Sequence, residues 1–495
     1  MELSPDCARI LPGRRDKLLQ SLDQPREKRD DNGQFVRLAS FSGGLIMAKP
    51  HRRAFHRAAT AATLSLAASS YRGIAGANDR VRLGFIGVGN RGDQLLDAFL
   101  VHKDCQAVAL CDVYAPYLEA ANKKLGGTAK LFQDYRQLLS QNAIDAVVIA
   151  TPDHWHALQF VDACRAGKDV YVEKPTSLTI AEGRVMCRVA AETQRITQVG
   201  LHRRSIPYIR EAVELIQAGA IGKVSVAKAY FHRNESPMGI GKPQNCPPPD
   251  GLDWDLWLGP ARETEFNPNK CLYKFRWFWD YSGGQVTNIG THYVDVIQWA
   301  LGQVAPRAVV CLGGNFVLED NREVPDTCES VWQYDHAIAT FSQYNGSSAP
   351  GNIRGWNLEF RGTHGTMYIS DGPAGYEIVP ENVRLEELPA LSPIAREENQ
   401  RQGRAVKPAR KPAANKGPAG TEFHTRNFLD SVKSRKETYC PIETGHRSTS
   451  ATILTRLAYQ RGRLLTWDGA AERVTNDEEA NKLLSYEYRK PWKLI

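Results

Sequence analysis

The sequence predicts an α/β protein in two parts. A doubly wound parallel sheet over residues 78–200 precedes an α+β domain over 201–495, built on a large open, mostly antiparallel sheet. Two observations carry this. From Val81 to about Val199, apolar runs at 81–87, 106–112, 146–150, 169–172 and 196–199 alternate with helical stretches at Arg91–Val101, Tyr114–Leu125, Trp155–Ala166 and Ile180–Gln194. Continuous apolar strands separated by amphipathic helices are what a parallel sheet covered on both faces requires. Beyond His202 the pattern changes to long alternating strands around few helices, which suits an open antiparallel sheet with helices on one face. At 495 residues, 42% hydrophobic and 24% charged, the chain is long and apolar enough for two cores.

In the second part, a helix at 207–218 ends at Gly219, and an alternating strand starts at Gly222 and runs to Phe231. A loop rich in Pro, Gly and Trp fills about 234–284, followed by a helix at His292–Leu301 and strands near 307–316, 328–334, 337–343 and 353–361. Residues 395–420 are poor in apolar side chains and read as a mobile loop, before helices at His424–Ser434 and Ser448–Arg461. No internal repeat and no membrane-spanning run is visible.

The net charge of +8 is unevenly placed: residues 1–77 hold 13 Lys/Arg against 7 Asp/Glu, leaving +2 for the rest. Nucleic acid is therefore not the partner the charge implies. Residues 1–77 read as a disordered leader. After Met47, the acid-free stretch with Arg52, Arg53 and Phe55, a mildly apolar run 58–69 and the small-residue site Ala75-Gly-Ala77 resemble a twin-arginine export signal. That implies a periplasmic or otherwise exported protein whose start is Met47. Six of the ten cysteines fall within expected strands and helices, as buried thiols do, and only Cys246 and Cys271 suggest a bridge.

The most informative segment is Val81–Gly92, with glycines at Gly87, Gly89 and Gly92 between a strand and a helix. Gly87 permits a tight turn, Gly89 lets backbone approach a pyrophosphate, and Gly92 allows close helix–strand packing. The helix from Asn90 offers free N–H groups to phosphates. Asp112 ends the next strand, where a carboxylate holds a ribose 2′-hydroxyl and repels a 2′-phosphate, so the expected cofactor is NAD.

Glu173-Lys174-Pro175 closes the parallel part at a strand's C-terminal end, where such sheets bind ligands. A lysine there can take a hydroxyl proton if burial lowers its pKa; the plain alternative is a surface lysine paired with Glu173. The segment Ser282–Asp295 places His292 and Asp295 on one helical face after a glycine pair, as a proton relay or as a simple helix start. His154 and His156, spaced to suit a strand, invite a metal reading, but a structural or cofactor-lining role is preferred and no metal is expected. Trp254, Trp257, Trp277, Phe278 and Trp279, with Arg276 and Tyr281, could stack on sugars or fill a core. Arg203 and Arg204 are further substrate or loop anchors.

Taken together, the glycine fingerprint, Thr151-Pro152-Asp-His154-Trp-His156, Glu173-Lys174-Pro175 and Gly-Gly…His292-x-x-Asp295 resemble the glucose–fructose oxidoreductase/inositol dehydrogenase/rhizopine-catabolism (Gfo/Idh/MocA) family over about residues 79–490. The resemblance implies Lys174 and His292 as catalytic residues. It implies Gly87, Gly89, Asn90, Arg91 and Gly92 as the pyrophosphate loop, Asp112 as the ribose acid, and Thr151, Pro152, His156 and Glu173 beside the nicotinamide. Arg204, Trp279, Asn288 and Asp295 are the expected substrate contacts. Many members carry Asp where this chain has Asn288, which leaves proton removal to Lys174 and His292 or points to a different reaction.

The expected function is NAD-dependent oxidation or reduction of a hydroxyl/keto carbon on a sugar, cyclitol or polyol, in a homo-oligomer with tightly held, recycled cofactor. Two alternatives share the site. One is a glycoside hydrolase or lyase working by transient oxidation, and the other a non-catalytic sugar sensor with structural NAD.

Overall fold

The computed structural model describes residues 80–384 and 406–495. The leader with its export signal lies outside the described residues, as does the 395–405 part of the expected mobile loop.

The first half builds a six-stranded parallel sheet in the order β3-β2-β1-β4-β5-β6. In chain order its elements are β1 Val81–Ile86, α1 Asn90–Leu100, β2 Cys105–Cys111, α2 Ala115–Lys124, β3 Lys130–Phe132, α3 Tyr135–Leu139, β4 Ala146–Ile149, α4 Asp153–Arg165, β5 Asp169–Val172, α5 Ile180–Thr193 and β6 Thr197–Val199. All four residues of β4 and of β5 are buried, as a central strand covered on both faces must be. The β3–α3 pair, absent from the sequence reading, is three plus five residues, and two of β3's three side chains are exposed. So short an edge strand leaves no apolar run to detect.

The remainder continues with α6 Pro207–Gln217, β7 Val224–Asn234, α7 Trp254–Leu258, α8 Thr291–Leu301, β8 Ala308–Gly314, β9 Thr327–Gln333, β10 Ile338–Tyr344 and β11 Gly346–Ser347. Then come β12 Leu358–Gly362, β13 Gly365–Ile369, β14 Tyr376–Pro380, β15 Asn382–Arg384, β16 Val406–Pro408, β17 Ala413–Asn415, α9 Glu422–Ser434, α10 Ile442–Arg461, β18 Leu465–Asp468, β19 Arg473–Val474 and α11 Glu478–Lys482. Ten of these strands follow the order β17-β14-β13-β12-β7-β10-β9-β8-β18-β19, with β11 beside β7. Only β7 and β10 pair in parallel within it. Within the expected mobile loop, 406–408 and 413–415 are paired strands, a correction: β16 bonds β15 and β17 bonds β14, so backbone pairing holds a segment with little apolar content.

Segments from the second part of the chain also pack on the parallel sheet. Phe428 and Leu429 of α9 enter the core on one face of the parallel sheet, beside Phe85 and Phe99. Cys440 and Ile442 enter the core on the other, with Tyr488, Trp492 and Leu494 packed against it. The chain therefore crosses to the second sheet and returns. Cys246 is exposed, Cys271 is buried and both are free, so the one bridge suggested by sequence is not formed. No described helix is long and apolar enough to cross a membrane.

Candidate active site

A crevice of about 1190 Å³ opens at the C-terminal edge of the parallel sheet, where β1 and β4 lie side by side and the strand order reverses. This is where ligands bind in open α/β sheets. Its nucleotide end is built by backbone. Gly87 adopts φ +83, and a Cβ there would lie 2.8 Å from the Ala150 carbonyl carbon; a Cβ on Gly92 would lie 2.0 Å from the Gly87 carbonyl oxygen. Neither position admits a side chain. Gly89 meets the Tyr117 ring in the same way, 2.7 Å from a would-be Cβ. No side chain caps α1, so the N–H groups of its first turn remain available to an anion beside Asn90.

The Asp112 carboxylate accepts N–H bonds from Val88 at 2.8 Å and Tyr114 at 3.0 Å, which ties the glycine turn to the end of β2. Burial pushes its pKa up to about 6, against those two donors. It lines the crevice, as a ribose acceptor must. A turn that only glycine can form, an uncapped helix start and a buried carboxylate together fit a dinucleotide lacking a 2′-phosphate.

Thr151 and Pro152 line the crevice between the two ends, with Thr151 Oγ1 donating to Gln159 at 2.7 Å. His156 stands behind them. Its Nδ1 lies 2.7 Å from the Pro175 carbonyl and its Nε2 2.9 Å from the Thr151 carbonyl, so it struts the two loops without entering the crevice. His154 and His156 lie on α4, not on a strand as the spacing suggested. The His154 Nε2 faces the Trp257 carbonyl at 3.1 Å, so the two rings serve separate partners.

The other end is built by side chains. Glu173 is buried, accepts from Arg91 Nε at 2.8 Å and from the Lys174 N–H at 3.1 Å, and thereby joins α1 to the end of β5. The Lys174 Nζ donates to Asn288 Oδ1 at 2.5 Å, and Asn288 Nδ2 donates to Gln285 Oε1 at 2.8 Å. Asn288 projects from Val286–Gly290, a π-helical turn leading into α8. Such turns are rare and frequent at functional sites. Burial lowers the Lys174 pKa to about 8, and neighbouring Arg276 and Arg91 reinforce this against Glu173 and Asp153. A neutral amide beside the amine adds no charge to reverse that shift. His292 lies behind this pair, its ring edge-on to His202 with centroids 4.8 Å apart. Burial, then the charge of Arg203, hold its pKa well below the usual value, so it is a neutral imidazole.

Three expected substrate contacts are placed elsewhere. Arg204 Nε donates to both oxygens of Asp295 at 2.9 Å, and Ser448 Oγ donates to the same carboxylate at 2.8 Å. Both partners are withdrawn from the crevice because a buried carboxylate takes the nearest cation. Arg203 is likewise spent on Asp371. Trp279 packs against Tyr459 and under Arg456, outside the crevice. Most of the aromatic segment forms a satellite core: Trp257, Trp277, Phe278 and Tyr281 are buried with Ile240 and Val324, and only Trp257 among these aromatics also faces the crevice. Core filling is the commoner fate of such residues.

The sequence reading missed Asp153, Tyr117 and Trp492, and gave Arg276 no specific place. Asp153 lies between two residues already singled out and accepts from buried Ser282 Oγ. Tyr117 follows Tyr114 at helical spacing, the one pattern that pointed to it. Trp492 comes from the C-terminal segment, stacks edge-on to Trp155 at 4.8 Å and completes the crevice wall. Nothing local in the sequence marks it.

Fold and crevice together define an oxidoreductase with an NAD-binding domain. The family model described as "Oxidoreductase family, NAD-binding Rossmann fold" matches residues 81–201. That described as "Oxidoreductase family, C-terminal alpha/beta domain" matches 203–311 and 408–494, and a Gfo/Idh/MocA C-terminal domain model matches 261–368. The chain belongs to the Gfo/Idh/MocA family. A glycosyl hydrolase family 109 protein of Shewanella baltica (strain OS185) is 31% identical over 215 residues, 37% of this chain and 46% of the relative, so the match spans about half the length of that protein. The WlbA dehydrogenase from Bordetella pertussis, in complex with NADH and UDP-GlcNAcA, is 18% identical with a TM-score of 0.56, covering 79% of this chain and 99% of the other. The scyllo-inositol dehydrogenase from Lactobacillus casei, with bound NAD(H) and scyllo-inositol, is 19% identical with a TM-score of 0.53, covering 78% and 99%. At such identity these two likenesses concern the fold alone.

Proposed function

We propose that the protein oxidises or reduces a hydroxyl/keto carbon of a sugar, cyclitol or polyol with NAD, and that Lys174 relays the hydroxyl proton. One observation carries this reading: the Lys174 amine opens on the crevice at the end of β5, tethered to a neutral amide, with its pKa lowered to about 8. An amine so poised is partly unprotonated near neutral pH and can accept a proton, then return it in the reverse direction. Asn288 accepts one of its N–H bonds and so fixes where the amine points. His292, kept neutral behind the Lys174–Asn288 pair, adds no charge to the site. When bound, NAD supplies the hydride acceptor for the same carbon. Trp257 and Trp492 on the walls narrow the access of water.

A second reading is favoured by the family 109 relatives. A ketone formed transiently on a sugar acidifies the neighbouring C–H, so a glycosidic bond can be eliminated and the ketone then reduced, with no net redox change. The same residues would serve. Export through the twin-arginine-like leader, a tightly held and recycled cofactor, and homo-oligomer assembly belong to the same proposal. Mass spectrometry of gently denatured native protein tests it by seeking released NAD(H) and by fixing the mature N-terminus. A sugar panel then separates the readings: net NADH with an oxidised sugar supports the first, and cleavage without NADH the second. A protein that neither releases nor binds NAD(H) refutes both.

A further inference from the structure

The arginines in and behind the Lys174 end of the crevice are mostly committed within the chain. Arg91 holds Glu173, Arg203 holds Asp371, and Arg204 holds Asp295. Arg276 differs. It lines the crevice, yet its Nε is buried with no hydrogen-bond partner among the described residues. Its guanidinium lies over the Tyr273 ring at 4.1 Å and near Phe275 at 5.9 Å, so aromatic faces hold its plane beside the crevice. Asp153 is a nearby carboxylate in electrostatic reach, but it is occupied by Ser282. Its buried Nε–H has lost hydration and gained no acceptor, a deficit that a ligand seated in the crevice can correct.

We propose that Arg276 is the anchor for a carboxylate on the substrate, so that the substrate is a sugar acid (a uronate or aldonate) rather than a neutral polyol. This deepens the oxidoreductase reading and rests on it. A planar fork matches a carboxylate with two parallel hydrogen bonds. A single carboxylate suits the site better than a phosphate dianion, because Glu173 and Asp153 stand close to the same end and repel excess negative charge. Anchoring at Arg276 also leaves Lys174 free, since its proton work fails if the amine is tied to a substrate anion.

The test compares NAD-loaded wild type with Arg276→Gln and Arg276→Lys. The ligands are hexuronates and aldonates, each against the matching neutral hexose or alditol, read by thermal shift and calorimetry. Expected in wild type is a preference of about 10- to 100-fold for at least one acid over its neutral partner, the value of a charge-assisted hydrogen-bonded pair. Arg276→Gln should abolish that preference and Arg276→Lys retain part of it, with NAD affinity as in wild type. Equal affinity for every acid and its neutral partner overturns the proposal. So does a loss of NAD affinity with the acid preference intact, which assigns Arg276 to the cofactor's pyrophosphate. Arg276-dependent acid binding with no change in nicotinamide absorbance keeps the anchor and refutes the redox reading, so the two fail separately.

Discussion

The two ends of the crevice are made differently. At the nucleotide end, backbone does the recognising: Gly87 and Gly92 touch carbonyl atoms where no side chain fits, and an uncapped helix start supplies the donors. At the Lys174 end, side chains from distant segments meet, Lys174 and Asn288 being 114 residues apart. The first end leaves no room for a side chain at its glycines and adds one carboxylate of its own, that of Asp112. The second depends on charges set by burial, where substitution changes the chemistry and leaves the shape.

The largest expected effect lies at the second end. Lys174→Met should lower kcat about 10²- to 10⁴-fold, the usual range for a lost proton relay, with NAD affinity unchanged by fluorescence titration. An equal fall in NAD affinity would erase the division between the ends. Behind this end, Arg204→Met strands the buried Asp295 carboxylate and should cost about 3–5 kcal/mol of stability in denaturant unfolding, with KM of the surviving folded enzyme unchanged. A raised KM would return Arg204 to the substrate. At the nucleotide end, Gly92→Ala forces a methyl into the Gly87 carbonyl. The strain should weaken NAD binding about 10- to 100-fold and leave the pH dependence of the residual rate as in wild type.

The finest test is Asn288→Asp. In the wild type, burial holds Lys174 near 8. The neutral amine accepts the proton, so alcohol oxidation should rise with pH and level off above about 8. A carboxylate at position 288 favours the ammonium and should move that limb upward by about 1–3 units. At neutral pH the rate then falls about 10- to 1000-fold and recovers in alkali. An unmoved limb would show that another group titrates.

How much of this was legible follows the same division. The nucleotide end is a local signal: strand, three glycines, helix and a carboxylate closing the next strand all lie within Val81–Asp112. The parallel sheet was readable for the same reason, apart from β3 and α3, which are too short to show a period. Lys174 was visible as a position, but its partner was not. Asn288 read as a departure from the family's Asp, whereas its side-chain oxygen accepts a hydrogen bond from the amine. Arg204, Asp295 and Trp279 were misplaced because composition cannot say whether a polar or aromatic side chain turns toward a ligand or toward its own core. Trp492 was invisible, since its role depends on a return of the chain that no local pattern encodes.

That return has a consequence for biogenesis. A nascent chain stalled before Trp492 has every glycine of the coenzyme turn and still lacks one wall of the pocket. That wall is therefore made by docking of the 488–494 segment onto the parallel sheet and not by the coenzyme turn alone.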